Sequence, residues 1–367
     1  MFYATSNKYP SFKYANTGQI LVMSNFFSDY LGVNFYLGGK NINVDKGSLI
    51  QTYNFPTTKS YILGYKFIKF IKNKKIEKVY CRESRLFFFL ILYNKLFFRQ
   101  ELTYIYEIHA LTEGKFINNL VEKILSRWVH KFVFITASLR DIYREKFDIE
   151  TEKTIVVPDA VDLEVFDIDI GQKDARNKLG LPEDKYIIVY TGKFKTMGMD
   201  KGISDILKAL TFLPQDILFL AVGGTKGDIE YYQTEARKLN IEERIKFISH
   251  VSQEILAIYQ KTADILLMPF PYNKHYAYYM SPLKMFEYMV SKRPIIASKL
   301  PSIQEVLNDD NALLVGPNNP REIACAIQKL RHDEELADKI SGQAYLEGCR
   351  YTWKKRVEKI LNFIKYL

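Results

Sequence analysis

The chain has 367 residues, enough for two domains of roughly 150 residues each, and its 47% hydrophobic and 26% charged residues exclude wholesale disorder. Lysine and arginine (52) outnumber aspartate and glutamate (42), a net charge of +10 that predicts an anionic partner: a phosphorylated substrate, an anionic membrane or nucleic acid. Cys81, Cys325 and Cys349 are too few and too scattered for a disulfide scaffold or a zinc ribbon, and they fit a reducing compartment.

In chain order, residues 1–5 read as a short strand followed by polar Ser6-Asn7-Lys8, which is no secretory leader. Strand-like runs follow at 34–37, 79–81, 103–108, 132–135 and 154–157. An acidic, aperiodic stretch at 159–174 reads as a linker, and a second series of runs follows at 186–191, 217–222, 245–248, 265–268 and 294–297. Helical patterns fall between them, at 115–125, 202–210, 229–239, 253–262 and 322–330. Such alternation predicts an α/β protein of two doubly wound domains, about 1–165 and 166–350, each a parallel sheet covered on both faces. A cleft at the carboxyl ends of the strands is then the expected site. The longest apolar run, 86–93, falls far short of the ~20 residues that span a bilayer, so the chain is expected to be soluble or peripheral.

The strongest candidate site is Ser281-Pro282-Leu283-Lys284-Met285-Phe286-Glu287. Ser281 as N-cap and Pro282 as first helical residue predict a helix start. Its free N–H groups and Lys284 would hold a diphosphate, with no metal required. Glu287, among apolar neighbours, needs hydroxyl partners such as those of a sugar; the alternative is an ordinary capped helix with a Lys284–Glu287 pair. A second candidate is the turn Gly192-Lys193 with Asp200-Lys201-Gly202, where lysines at a strand-to-helix connection could neutralise a leaving phosphate or simply be solvated. A third is His109, at the end of the strand 103–108. No HxH or HExxH pair occurs, Asp167-Ile168-Asp169 has no strand to deliver it, and Gly223-Gly224-Thr225-Lys226-Gly227 lacks dinucleotide-site spacing and reads as a tight turn. The lysines of 66–78 alternate with Phe67, Ile68, Phe70 and Ile71. They read either as a face lying in an anionic membrane interface or as a solvated charge run over a buried helix.

Together these features resemble the retaining nucleotide-sugar glycosyltransferases of family 4, whose GT-B fold has two Rossmann-like domains and an interdomain cleft. Val156-Val157-Pro158-Asp159-Ala160-Val161-Asp162 with Phe166 is similar to the family's interdomain V-P-N-G-V-D…F. Gly192-Lys193 and Lys201-Gly202 are similar to its G-R…K-G diphosphate clamp, with Lys193 in place of Arg. The run from Ser281 to Met289 closely resembles the S-P-L-K-x-x-E-Y-M form of the Glu-x7-Glu motif. The resemblance makes Glu287 the ribose ligand and puts Tyr279 where the family has the Glu that contacts the donor sugar. Tyr9-Pro10-Ser11 and Ala15-Asn16-Thr17, with Gly18, resemble the loop after the first strand, which approaches donor and acceptor. Tyr351-Thr352-Trp353 resembles the opening of the C-terminal helix, about 351–367, that returns to the first domain.

The resemblance implies a cytoplasmic enzyme that moves a sugar from a UDP- or GDP-sugar to a hydroxyl of a glycan or lipid-linked acceptor, as in bacterial surface polysaccharide synthesis, and the basic, aromatic stretch 66–98 suggests peripheral contact with the inner face of an anionic membrane. It implies retention, no metal or other cofactor, and a donor site of Lys193, Lys201, Tyr279, Ser281, Pro282, Leu283, Lys284 and Glu287, with His109 beside the sugar and acceptor. The alternatives are a catalytically inactive sugar or lipid binder, given Tyr279, and an epimerase of the same fold. Nucleic acid is not an expected partner, because no recognised nucleic-acid motif accompanies the charge.

Overall fold

The computed structural model describes residues 1–8, 15–40, 42, 48–56, 59–111 and 116–365, which form two compact units. The first comprises Met1–Pro158 and Trp353–Leu367, the second Asp159–Thr352. The expected boundary at 165/166 is therefore too late. The stretch read as a linker belongs to the second unit, where Asp162 caps the short helix Leu163–Phe166 and Gln172–Lys178 forms another. Its acidic residues misled because two of them are committed within the unit: Asp162 accepts from the Glu164 N–H at 3.1 Å, and Asp167 accepts from the hydroxyl of the distant Tyr345 at 2.8 Å.

The first unit holds seven parallel strands, β1 (Phe2–Lys8), β2 (Tyr36–Lys40), β3 (Gln51–Asn54), β4 (Lys78–Cys81), β5 (Thr103–Ile108), β6 (Lys131–Phe134) and β7 (Thr154–Val156), in the order 3-2-1-4-5-6-7. Phe2, Tyr3 and Ala4 are all fully buried, as a strand covered on both faces requires. The edge strand β3 escaped the sequence reading because Gln51-Thr52-Tyr53-Asn54 is half exposed and mostly polar.

The second unit begins with β8 (Tyr186–Thr191) and a hairpin of β9 (Lys195–Thr196) and β10 (Met199–Asp200). It continues with β11 (Ile217–Gly224), β12 (Ile245–Ser249), β13 (Ile265–Met268), β14 (Ile295–Ser298) and β15 (Leu313–Val315). Its six-stranded sheet runs 12-11-8-13-14-15, all parallel, which is the Rossmann order 3-2-1-4-5-6 counted within the unit. Period-two alternation divides its core. Ile187 and Val189 of β8 pack into one apolar cluster with Leu266 and Met268 of β13, while Ile188 and Tyr190 pack into the other with Ile265 and Leu267. In both sheets the strand order reverses beside the first strand of the unit, between β1 and β4 and between β8 and β13. The crevices at the carboxyl ends of these strand pairs are where ligands of such sheets bind.

Candidate functional site

The chemistry-bearing residues of the second unit converge on its switch point. Helix Leu283–Val290 brings Lys284 there, with Nζ 3.4 Å from the centre of the Tyr190 ring at the end of β8 and 5.6 Å from that of Phe270, just after β13. Lys284 is buried, and its Nζ has no hydrogen-bond partner among the described residues. Burial first, then the nearby Lys201, drives its proton affinity well below that of an ordinary lysine. Glu287 lies one helical turn on, also buried. The expected Lys284–Glu287 pair does not form. Instead Glu287 Oε2 accepts from Gln260 Nε2 at 3.2 Å, and the same amide nitrogen donates to Thr191 Oγ1 at 3.3 Å. Burial outweighs Lys284 and Gln260 and raises the Glu287 carboxyl from 4.5 to about 7.

The helix start differs from expectation. Pro282 is the N-cap and Leu283 the first helical residue, with no side-chain cap. Ser281 cannot serve as the cap because its Oγ accepts the backbone N–H of buried Asp159 at 3.0 Å, tying the first residue of the unit to the site. Tyr279 ends the short helix Lys274–Tyr278 and is itself buried.

The second lysine cluster sits on a built loop. The sequence between Lys193 and Lys201 is a β-hairpin whose two turn residues, Met197 (φ 51°) and Gly198 (φ 77°), both take the left-handed conformation favoured in two-residue hairpin turns. Asp200 fastens the far end: its carboxylate accepts from the Gly202 N–H, from the Ser204 hydroxyl at 2.8 Å and from the Tyr232 hydroxyl. Lys201 is held between this anchor and helix Ile203–Leu210. Burial and then Lys193 lower its pKa to about 8. Lys193 itself is exposed. Burial and then the charge of Lys201 lower the proton affinity of nearby His275 and favour its neutral form.

Gly202 is required by geometry. Its φ is +100°, and a Cβ there would stand 2.1 Å from the Pro269 carbonyl oxygen. Gly202→Ala is expected to cost roughly 2–3 kcal/mol and to lower the thermal midpoint by about 5–10 °C in a melting experiment.

Glu287 makes the stability of the protein pH-dependent. Its folded pKa of about 7 lies above the unfolded value near 4.5, so its contribution is fully present below pH 4.5 and is lost as pH rises through 7. Glu287→Gln is expected to remove this slope, on the order of 3 kcal/mol between pH 4.5 and 8, in denaturant titrations at a series of pH values.

In the first unit, β5 ends at its switch-point side with Glu107 and His109 on one face of the strand. Glu107 is fully buried and accepts from the Tyr80 hydroxyl at 2.5 Å, from His109 Nε2 at 2.7 Å and from Arg356 Nη2 at 2.5 Å. His109 Nδ1 faces Arg82 Nη2 at 3.2 Å; since a guanidinium can only donate, Nδ1 is the acceptor and Nε2 carries the hydrogen. Both ring nitrogens are thus engaged, and His109 is held as one neutral tautomer. Across the switch point, Glu83 after β4 accepts from the Thr5 hydroxyl of β1 at 2.7 Å and from the Ser6 N–H. Tyr9, Pro10 and Ser11 lie outside the described residues. Asn16, Thr17 and Gly18 fall not in a loop but in the first turn of helix Ala15–Leu31.

Asp200 stands in the turn that the sequence reading singles out, whereas Gln260, Tyr190 and Glu107 are given no role there. Each is a residue whose role appears only when another strand or helix meets it. Among the described residues no group of three His, Cys, Asp or Glu could hold a metal ion. Gly223 and Gly224, read as a tight turn, close β11, and Thr225 opens a capping box with Asp228.

Residues 171–347 match the family profile "Glycosyl transferases group 1", nearly the whole of the second unit. An uncharacterized glycosyltransferase of Methanocaldococcus jannaschii is 20% identical over 239 residues, 64% of this chain and 59% of that protein. The chain spans about half to six-tenths of the length of the curated relatives it matches. Among solved structures, sucrose-phosphate synthase from Thermosynechococcus elongatus superposes with a TM-score of 0.79 at 17% identity, covering 100% of this chain and 98% of that one. Anabaena HepE in complex with UDP gives 0.77 at 15% identity, covering 100% and 99%. The fold is GT-B, and the second unit carries a glycosyltransferase group 1 domain.

Proposed function

We propose that the protein transfers a sugar, with retention at the anomeric carbon, from a nucleotide diphosphate sugar to a hydroxyl of a glycan or lipid-linked acceptor such as a surface polysaccharide precursor. The observation that carries this reading is Lys284: a buried amine with no hydrogen-bond partner among the described residues, at a Rossmann switch point and one helical turn from a buried carboxyl. A diphosphate would supply the missing anion, and the ribose hydroxyls would donate to Glu287. Lys201 and Lys193 would meet the charge that develops on the leaving phosphate, so that the protein's own cations provide the field in place of a metal. His109, locked as a neutral tautomer, would donate or accept no proton in the ground state and would orient the sugar or acceptor. The likeness in fold to a structure that holds UDP supports the donor class. None of the three cysteines forms a disulfide among the described residues, which fits a cytoplasmic site of action.

Tyr279 favours a second reading, in which the protein binds the donor or a glycan without transferring it. Thermal-shift titration with UDP-, GDP- and ADP-sugars, with and without EDTA, tests both. The expected result is a shift from one nucleotide class that survives EDTA and is lost in Lys201→Ala, together with release of nucleotide diphosphate when an acceptor is present. Binding without release would establish the second reading, and no shift from any donor would overturn both.

A further inference from the structure

Three helices of the first unit pack side by side: Ser60–Asn73, Ser84–Tyr93 with its continuation Asn94–Phe98, and Phe116–Trp128. Their inward residues are conventional, with Phe67, Ile68 and Ile71 of the first and Phe87, Leu90 and Ile91 of the second fully buried. The apolar partners of the 66–78 lysines therefore belong to the core, and Lys78 Nζ donates to the Ile364 carbonyl oxygen at 2.6 Å. That helix does not offer a membrane the stripe its sequence suggests.

What the three helices leave outside is a different apolar surface. Phe116 is 82% exposed, Ile117 68%, Phe97 67% and Leu96 56%, and Tyr61, Tyr65 and Leu120 are also exposed. The rings form a continuous ladder: Tyr61 meets Phe89 at 6.2 Å, Phe89 meets Tyr93 at 6.1 Å, and Tyr93 meets Phe97 at 6.1 Å. Tyr65 sits 5.8 Å from both Tyr93 and Phe98. Isolated exposed rings need no explanation, but the connected set Tyr61, Tyr65, Phe89, Tyr93, Phe97 and Phe98 marks a contact surface, beside which Phe116 and Ile117 are exposed on the neighbouring helix.

Charge identifies the contact. Residues 60–76, 84–100 and 116–128 contain one acidic residue, Glu122, and it is buried against the hydroxyls of Tyr106 and Tyr143. The same helices expose Lys66, Lys69, Lys72, Arg85, Lys95 and Arg127. Lys72 Nζ lies over the Phe98 ring at 5.8 Å and Lys95 Nζ over the Trp128 ring at 5.4 Å, so cations and aromatic rings share one surface. An ordinary solvated face mixes both signs. Among the described residues the nearest exposed acids in sequence are Glu77 and Glu101, just beyond the ends of these helices. Helices that expose lysines, arginines and aromatic rings but no acid of their own match the boundary between anionic headgroups and acyl chains.

We infer that this three-helix face docks on the surface of a bilayer containing anionic phospholipid, with Phe97, Phe116 and Ile117 entering the headgroup boundary and the lysines pairing with lipid phosphates. The inference stands apart from the transfer reaction and would hold for either reading of the second unit.

Flotation of the full chain with vesicles of phosphatidylcholine, alone or with about 30 mol% phosphatidylglycerol, tests it. The anionic vesicles are expected to bind at least tenfold more tightly. Lys66→Gln/Lys69→Gln/Lys72→Gln should weaken that binding by roughly 100-fold at low salt. Phe97→Ser/Phe116→Ser, at exposed positions that leave the core intact, should abolish the part of the binding that survives high salt. Absence of binding to anionic vesicles would overturn the inference. So would full binding by the Phe97→Ser/Phe116→Ser variant together with equal retention on duplex DNA, which would make the face a bare charge surface.

Discussion

Replacing Lys284 with methionine is expected to raise the thermal midpoint of the ligand-free protein and to weaken nucleotide diphosphate binding by roughly 10²–10³-fold. The two effects have one origin. A buried ammonium with no hydrogen-bond partner among the described residues costs the folded state desolvation that the ring faces of Tyr190 and Phe270 and the nearby Glu287 carboxyl offset in part. Methionine fills much of the same volume without a charge, so the fold should gain about 1–3 kcal/mol, or roughly 3–8 °C. The bound diphosphate would lose a cation in a site largely screened from water, where such a contact is worth about 3–4 kcal/mol. Melting curves without ligand and calorimetric titration with UDP and GDP check the pair of signs. A lower midpoint with unaltered affinity would make Lys284 a structural lysine and would remove the main support for the donor site.

Much of this was legible in the sequence because parallel strands buried on both faces announce themselves as apolar runs. The strands at 103–108, 186–191 and 265–268 are read to the residue. The motif that carries Lys284 and Glu287 was also visible, since both side chains come from one helix. What escaped depends on contacts between distant segments. Ser281 has the composition of an N-cap, and nothing local shows that its hydroxyl is committed to Asp159, 122 positions away. The Lys284–Glu287 pair fails for the same reason, because Gln260 and Tyr190 claim the two side chains first. The hairpin between Lys193 and Lys201 is too short to show a strand period, and its turn at Met197-Gly198 lacks the usual Asn-Gly signal.

Arg356→Leu is expected to be the most destabilising single change in the first unit, by about 3–5 kcal/mol, or on the order of 10 °C. The Arg356 guanidinium is buried and binds the Glu107 carboxylate through Nη2 at 2.5 Å and the Val157 carbonyl oxygen through Nη1 at 2.7 Å. Burial alone would raise the Glu107 carboxyl. Arg356 first, then His109, reverse that and hold it below the usual carboxylate range, so in the native protein this group's stabilisation is present above about pH 4.5 and is lost on further acidification. Without Arg356 the burial effect dominates and the sign inverts. The carboxyl then prefers its proton, and the variant should be less destabilised at pH 5 than at pH 8. Adding Glu107→Gln should recover much of the loss, because the uncompensated charge is gone, and a double-mutant cycle should return a coupling of roughly 1–3 kcal/mol. His109 gives the cycle a second readout. Its neutral Nε2–H tautomer is set by Glu107, so NMR of the imidazole nitrogens should show the tautomer preserved in the wild type and mixed in the Glu107→Gln variant. A cycle with no coupling and an unchanged tautomer would mean that the C-terminal helix anchors the unit by packing alone.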